Sequence, residues 1–108
     1  DDLRLMIDGL DAYAYASRGQ ARTIVLSMKL AEAEHLKARR GQEPVMLLDD
    51  VLSELDAGRR SFVLDRITEY QQCFVTTADV DVVPPSRLAG MHRYRVHEGT
   101  AQRVTVPA

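Results

Sequence analysis

Apolar positions in this chain come in short runs separated by glycine, proline and acidic residues, with one long uninterrupted stretch between them. Residues 3–7 are mainly apolar and are followed by Asp8-Gly9. Asp-Gly between apolar runs marks a two-residue hairpin turn, whose central residues need positive φ. A first hairpin is therefore expected, with its second strand over residues 10–15. Residues 20–40 contain no glycine or proline. Ile24, Met28 and Ala31 lie on one face of a helix there, with Leu26, Leu30, Ala33 and Leu36 beside them. That stripe is wide enough to predict a well-buried helix. Arg39, Arg40 and Gly41 end it in the usual way.

Pro44 then introduces Val45-Met46-Leu47-Leu48, a continuous apolar run that predicts a strand buried on both faces, as in a parallel sheet. A second helix is expected over residues 57–71, with Asp56 as its N-cap and Val63, Ile67 and Tyr70 on one face. Residues 73–77 read as another strand. Strand, helix and strand at this spacing form a βαβ unit, so the two strands should run parallel. Pro84-Pro85 is expected to end regular structure. Residues 94–106 alternate about Glu98-Gly99 and predict a closing hairpin. The fold class is α/β: a small parallel core with flanking helices and β-hairpins.

The chain's 108 residues suffice for one modest domain, and 45% hydrophobic with 28% charged residues is an ordinary globular balance. So short a chain buries a limited core and gains from docking against another segment. The net charge of -2 makes no overall electrostatic case for nucleic acid, so any such contact must be local. One cysteine, Cys73, excludes an internal disulfide and a thiolate zinc cluster. No apolar run is long enough for a membrane span, and no signal peptide is visible. The chain begins Asp1-Asp2 with no initiator methionine, which fits a segment of a longer, cytoplasmic protein.

Three short motifs carry candidate chemistry. Val45 to Leu48 delivers Asp49 and Asp50 to the C-terminal end of a strand, where open α/β sheets bind ligands. Such a pair can hold Mg²⁺, usually through water, and orient an attacking water; it can equally be two solvated acids beginning a turn. Ser17-Arg18-Gly19-Gln20 opens the long helix. Ser-x-x-Gln is a capping box, and the same exposed N–H groups can receive a phosphate. Ser53-Glu54-Leu55-Asp56 follows the acids and can be no more than a turn with an N-cap.

Taken together and in this order, the three motifs resemble the C-terminal motif series of ABC ATPases. Ala16 to Gln20 resembles the signature motif, Val45 to Asp50 the Walker B strand, and Ser53 to Asp56 the D-loop. The finer wording resembles the RecF family: Ser-Arg-Gly-Gln-Ala-Arg-Thr, Leu-Leu-Asp-Asp-Val-Leu-Ser-Glu-Leu-Asp, and Phe74 to Asp79. The resemblance implies that residues 1–108 are the C-terminal part of an ABC-type ATPase head, with ATP and Mg²⁺ as cofactors. It implies Asp49 as the metal ligand, Asp50 as the catalytic residue, and Ser17, Arg18, Gly19, Gln20, Ser53, Asp56 and Thr77 as nucleotide-site residues. By the same resemblance the whole protein forms an ATP-dependent homodimer and binds DNA at gaps or single-strand/double-strand junctions. It would act in DNA replication and repair with RecO and RecR, helping to load recombinase. Two departures from the general ABC pattern support the narrower match. The second acid is Asp50 rather than Glu, and Thr77 stands where most members carry a switch His. Both point to a slow, switch-like ATPase.

Two rivals stay in view. A phospho-acceptor receiver domain also gathers acids at strand ends, but it needs a lysine ending a later strand. The only lysines, Lys29 and Lys37, belong to the long helix. A dimerisation module with degenerate ATPase motifs is the other. His35, His92 and His97 show no ligand spacing and are expected at the surface. Arg39-Arg40 and Arg59-Arg60 are expected as helix-end partners before DNA contacts, and Tyr13 and Tyr15 as hairpin packing. No Gly-x-x-x-x-Gly-Lys-Ser/Thr occurs in the chain, and that loop supplies most phosphate contacts in such enzymes. The isolated chain is therefore expected to hydrolyse no ATP. Magnesium-dependent turnover by the purified chain above an Asp49→Ala control would contradict this.

Overall fold

The fold is taken from a computed structural model that describes residues 3–11 and 17–105. By contacts the chain divides into two units, residues 1–78 and 79–108. In the first unit, β1 (Met6–Ile7) pairs antiparallel with β2 (Leu10–Asp11). Asp8 and Gly9 both adopt positive φ, 50° and 80°, as the Asp-Gly turn requires. The remainder of the expected second strand, with Tyr13 and Tyr15, lies outside the described residues.

Helix α1 spans Arg18–Arg40. It stops at Gly41, whose φ of 67° lets its N–H donate to the Lys37 carbonyl. Its apolar stripe is less covered than expected. Leu26 and Ala33 are buried, Ile24, Leu30 and Leu36 are half-buried, and Met28 stays exposed.

Strand β3 (Met46–Asp49) pairs parallel with β4 (Cys73–Thr76). Between them lie a 3₁₀ turn (Leu52–Glu54) and α2 (Ala57–Ile67). Asp56 caps α2 as expected, accepting from the Arg59 N–H at 2.8 Å. The helix ends four residues sooner than its pattern predicts. Glu69 and Tyr70 donate to Arg66 and Ile67, tightening the last turn to i→i+3 bonding. Val63, Ile67 and Tyr70 still share the buried face and join Met46, Leu48, Leu52, Leu55 and Leu64 in the core.

The expectation that β3 is buried on both faces is not met. Met46 and Leu48 are buried, whereas Leu47 is 73% exposed and its partner Phe74 60% exposed. Strand side chains alternate between faces, and among the described residues only one face of this pair is covered.

In the second unit, Pro85 starts a short helix α3 (Pro85–Leu88) where regular structure was expected to end. Proline suits the first helical position, because its fixed φ is helical and its missing N–H is not needed there. The closing hairpin, β5 (Arg93–His97) and β6 (Thr100–Val104), turns at Glu98-Gly99, both at positive φ.

A polar latch joins the C-terminal half of α1 to the loops around β3 and β4. The Tyr70 hydroxyl donates to Glu34 at 2.7 Å, and Lys37 lies over the Tyr70 ring. Burial pushes the Tyr70 hydroxyl up to about 12. Glu43 accepts from the Gln71 N–H at 2.8 Å and pairs with Lys37 at 3.1 Å. The Gln71 bond, then the Lys37 bond, hold the Glu43 carboxyl below its ordinary value. A carboxyl lowered on folding stabilises the fold above its ordinary titration range and loses that contribution as pH falls through the lowered value. Denaturant midpoints of the parent are therefore expected to drop more steeply than those of Glu43→Gln below the ordinary carboxylate range. Parallel pH profiles for the two proteins would refute this role.

Candidate functional site

The acid pair owes its place to the strand pairing. The run Met46-Leu47-Leu48 makes β3, and its parallel register sets Asp49 opposite Thr76 at the shared C-terminal end. Three interactions organise that end. The Thr76 Oγ1 hydroxyl donates to Asp49 Oδ1. The Asp50 N–H donates to Thr76 O at 3.0 Å and to Thr76 Oγ1 at 3.1 Å. The Ser53 hydroxyl donates to Asp50 Oδ1 at 3.1 Å. Asp50 has φ of 53°, in the left-handed region that aspartate tolerates better than most residues. Strained backbone of this kind persists where its surroundings over-determine it; here the shared N–H and the Ser53 bond do so.

Asp49 and Asp50 are both exposed. Two accessible carboxylates at an open strand end are a hard-oxygen donor set. Mg²⁺ is commonly held by one or two carboxylates, with waters and substrate phosphates completing its shell. The arrangement fits such an ion. Among the described residues no group of three or more His, Cys, Asp or Glu could hold a metal unaided, so phosphate or water would have to supply the other ligands.

The second element of the site is the start of α1. Both capping-box bonds are made: the Gln20 N–H donates to Ser17 Oγ at 3.1 Å, and the Ser17 N–H donates to Gln20 Oε1 at 2.9 Å. As an acceptor in this bond, the Ser17 hydroxyl keeps its own proton, and the Gln20 amide keeps its NH₂ donors. The capping box therefore takes up the Ser17 and Gln20 backbone N–H groups but leaves these side-chain donors for an anion. This helix start is tied to the 53–56 segment. Arg22 pairs with Glu54 at 3.3 Å, and a side chain at Gly19 would come within 3.9 Å of the Glu54 carbonyl. At the other end of α1, Lys37 meets Glu43 just before β3. The helix thus runs antiparallel to β3, and its N-terminus lies toward the end that carries the acids.

In Ser53-Glu54-Leu55-Asp56 each residue has a separate task. Ser53 reaches Asp50, Glu54 meets Arg22, Leu55 is 4% exposed in the core, and Asp56 caps α2. Arg18 is exposed at the first position of α1. Thr77 is half-buried just after β4, and the hydroxyl that bonds Asp49 is that of Thr76, one residue earlier, which the motifs did not single out as a site residue. Strand register is the signal that finds it, since in a parallel pair the last residue of β4 lies opposite the last residue of β3.

The remaining candidates stand apart from this edge. Arg60 Nε donates to the Leu52 carbonyl at 3.0 Å, and Arg59 pairs with Asp56. Both lie in the first turn of α2, so local acceptors hold them rather than the helix dipole. Cys73 is half-buried, and desolvation pushes its thiol up, away from thiolate reactivity. The His92 ring accepts from Arg103 at 2.7 Å within the second unit. A groove of about 500 Å³ between α1 and β3 is lined mainly by aliphatic side chains, among them Val25, Leu36, Val45 and Leu47. Arg22, Lys29 and Glu32 add charged groups to its lining. No helix among the described residues is long and apolar enough to cross a membrane.

A parallel βαβ unit with an acid pair at its strand end, and a capped helix directed toward that end, makes this an α/β segment. Comparison with known proteins narrows this. The chain is 43% identical over 99 residues to the DNA replication and repair protein RecF of Lactobacillus delbrueckii subsp. bulgaricus. Identity to the RecF protein of Staphylococcus aureus is likewise 43% over 99 residues. Each match covers 92% of the chain and 26% or 27% of the relative. Two solved structures of the recombination mediator protein RecF in the RecFOR pathway superpose on it. The RecF-ATP structure has TM-score 0.66 and the RecF-ATPrS structure 0.64, each at 33% identity over 94% of the chain. No protein-family profile matches. Over these residues the chain is similar to RecF proteins, and it spans about a quarter of the length of the relatives it matches.

Ser17→Ala is expected to cost about 1 kcal/mol of stability through the lost cap, leaving the far end of α1 unaffected. A thermal or denaturant melt unchanged by the substitution would remove the cap from the account.

Proposed function

We propose that residues 1–108 form the C-terminal segment of a RecF-type ATPase head and supply its signature, Walker B and D-loop elements to an ATP site. The observation that carries this is the acid pair locked at the end of β3, with the start of α1 directed toward the same end. The uncovered face of the β3–β4 pair supports it. Leu47 and Phe74 belong to a parallel sheet that ordinarily needs cover on both sides, and the longer relatives have chain to provide it.

In this reading Asp49 binds Mg²⁺, directly or through water; the ion would neutralise charge on the phosphates. Asp50, held by Ser53, orients the water that attacks the γ-phosphate. Ser17, Gly19 and Gln20 offer hydroxyl, backbone and amide donors to the γ-phosphate of a nucleotide held by the other subunit of an ATP-dependent homodimer, with Arg18 adding positive charge. Ser53 and Asp56 hold the D-loop between them, and Thr77 stands at the switch position. The complete protein would bind ATP and DNA and work with RecO and RecR in recombinational repair, in the cytoplasm. The other possibility, a dimerisation module without turnover, shares the fold and differs only in chemistry.

Two substitutions in a full-length RecF-family chain carrying this segment separate them. Asp50→Asn should keep ATP binding and lower turnover by on the order of 10²-fold, the scale of losing a positioned base. Ser17→Arg should still bind ATP but fail to form the ATP-dependent dimer by light scattering, while melting like Ser17→Ala. Unchanged turnover in Asp50→Asn would favour the module, and a folded Ser17→Arg protein that dimerises like the parent would sink the shared-site assignment.

A further inference from the structure

We infer that Thr76 is a positioning residue for the acid pair: one hydroxyl orients the Asp49 carboxylate and anchors the backbone of Asp50. The inference rests on the reading of Asp49 as a cation ligand, but its observations are independent of that role. Asp50 N–H can only donate, so Thr76 Oγ1 must accept from it. An ionised Asp49 carboxylate can only accept, so the hydroxyl proton must go to Asp49 Oδ1. The hydroxyl thus has a single arrangement that satisfies both neighbours. Bonds to an ionised acceptor are the stronger kind, and this one engages Oδ1 and limits rotation of the carboxylate, leaving Oδ2 for the ion.

The same oxygen shares the Asp50 N–H with the Thr76 carbonyl. That shared bond spans the two strand ends where Asp50 enters its left-handed conformation at φ 53°. Neither effect needs Thr76 to touch nucleotide or ion. Thr76 is exposed, at the end of β4, and contributes little to the core. Threonine is therefore needed there for its hydroxyl, and valine, which matches its shape, would lose both contacts.

Partners that orient metal-ligating side chains typically affect metal affinity by 10- to 100-fold. The test uses a full-length RecF-family chain carrying this segment and reads Mn²⁺ binding in the presence of ATP by electron paramagnetic resonance. Metal-free ATP binding and a thermal melt serve as controls. Thr76→Val should weaken Mn²⁺ binding about tenfold while leaving metal-free ATP binding and the melt near the parent. Thr76→Ser, which keeps the hydroxyl, should restore most of the affinity. If Thr76→Val does not fold, Thr76→Ala is compared with Thr76→Ser in its place. Parent-like Mn²⁺ affinity in Thr76→Val, with weak binding in Asp49→Ala, overturns the role of Thr76 and leaves Asp49 standing as a ligand. Parent-like affinity in both overturns the Asp49 assignment as well. Equal losses in the Val and Ser variants would show that the hydroxyl is not what matters.

Discussion

The parallel pairing of β3 with β4 is the constraint on which the candidate site depends. Its register sets Asp49 against Thr76, and from that single alignment follow the hydroxyl bond to the Asp49 carboxylate and the double acceptor for the Asp50 N–H. A shift of one residue would turn every side chain of one strand to the opposite face. It would also carry Thr76 away from the acids. Register is held by burial of Met46 and Leu48 on one face and by the backbone bond from Met46 N–H to the Gln72 carbonyl where the pair begins.

Helix α1 is fastened at both ends, which keeps its N-terminus aligned with the acid-bearing edge. Arg22 and Glu54 tie its start to the turn after the acids, while Lys37, Glu43 and Tyr70 tie its end to the loops before β3 and β4. The individual pairs are partly exposed and weak one by one. Their importance lies in geometry: a straight helix fixed at two points presents its capped first turn in one direction. The Ser17 cap takes up two backbone N–H groups but leaves the Ser17 proton and the Gln20 amide donors for this use.

The pair β3–β4 also leaves apolar surface uncovered among the described residues. Leu47 and Phe74 face away from the buried side, and the stripe of α1 is only partly covered. Two parallel strands alone are marginal, and parallel sheets are ordinarily covered on both faces. The chain spans about a quarter of the length of its RecF relatives.

Much of this architecture could be read from the sequence because it is set locally. Asp8-Gly9 and Glu98-Gly99 need positive φ, Ser17 and Gln20 close a box three residues apart, Gly41 ends a helix, and a continuous apolar run delivers two acids to its own end. The motif order pointed to the RecF family for the same reason, since each motif is contiguous. The rest depended on which segments meet. Periodicity marked α1 as apolar on a wide face but could not say how much of that face finds cover. It described β3 as a two-sided strand when only one side is packed among the described residues. It did not single out Thr76, whose hydroxyl reaches Asp49 through a register between strands some 27 residues apart. Local patterns determine elements and their ends. Contacts between distant elements are decided only when the chain closes, because burial, register and hydrogen-bond partners belong to pairs of segments and not to either one.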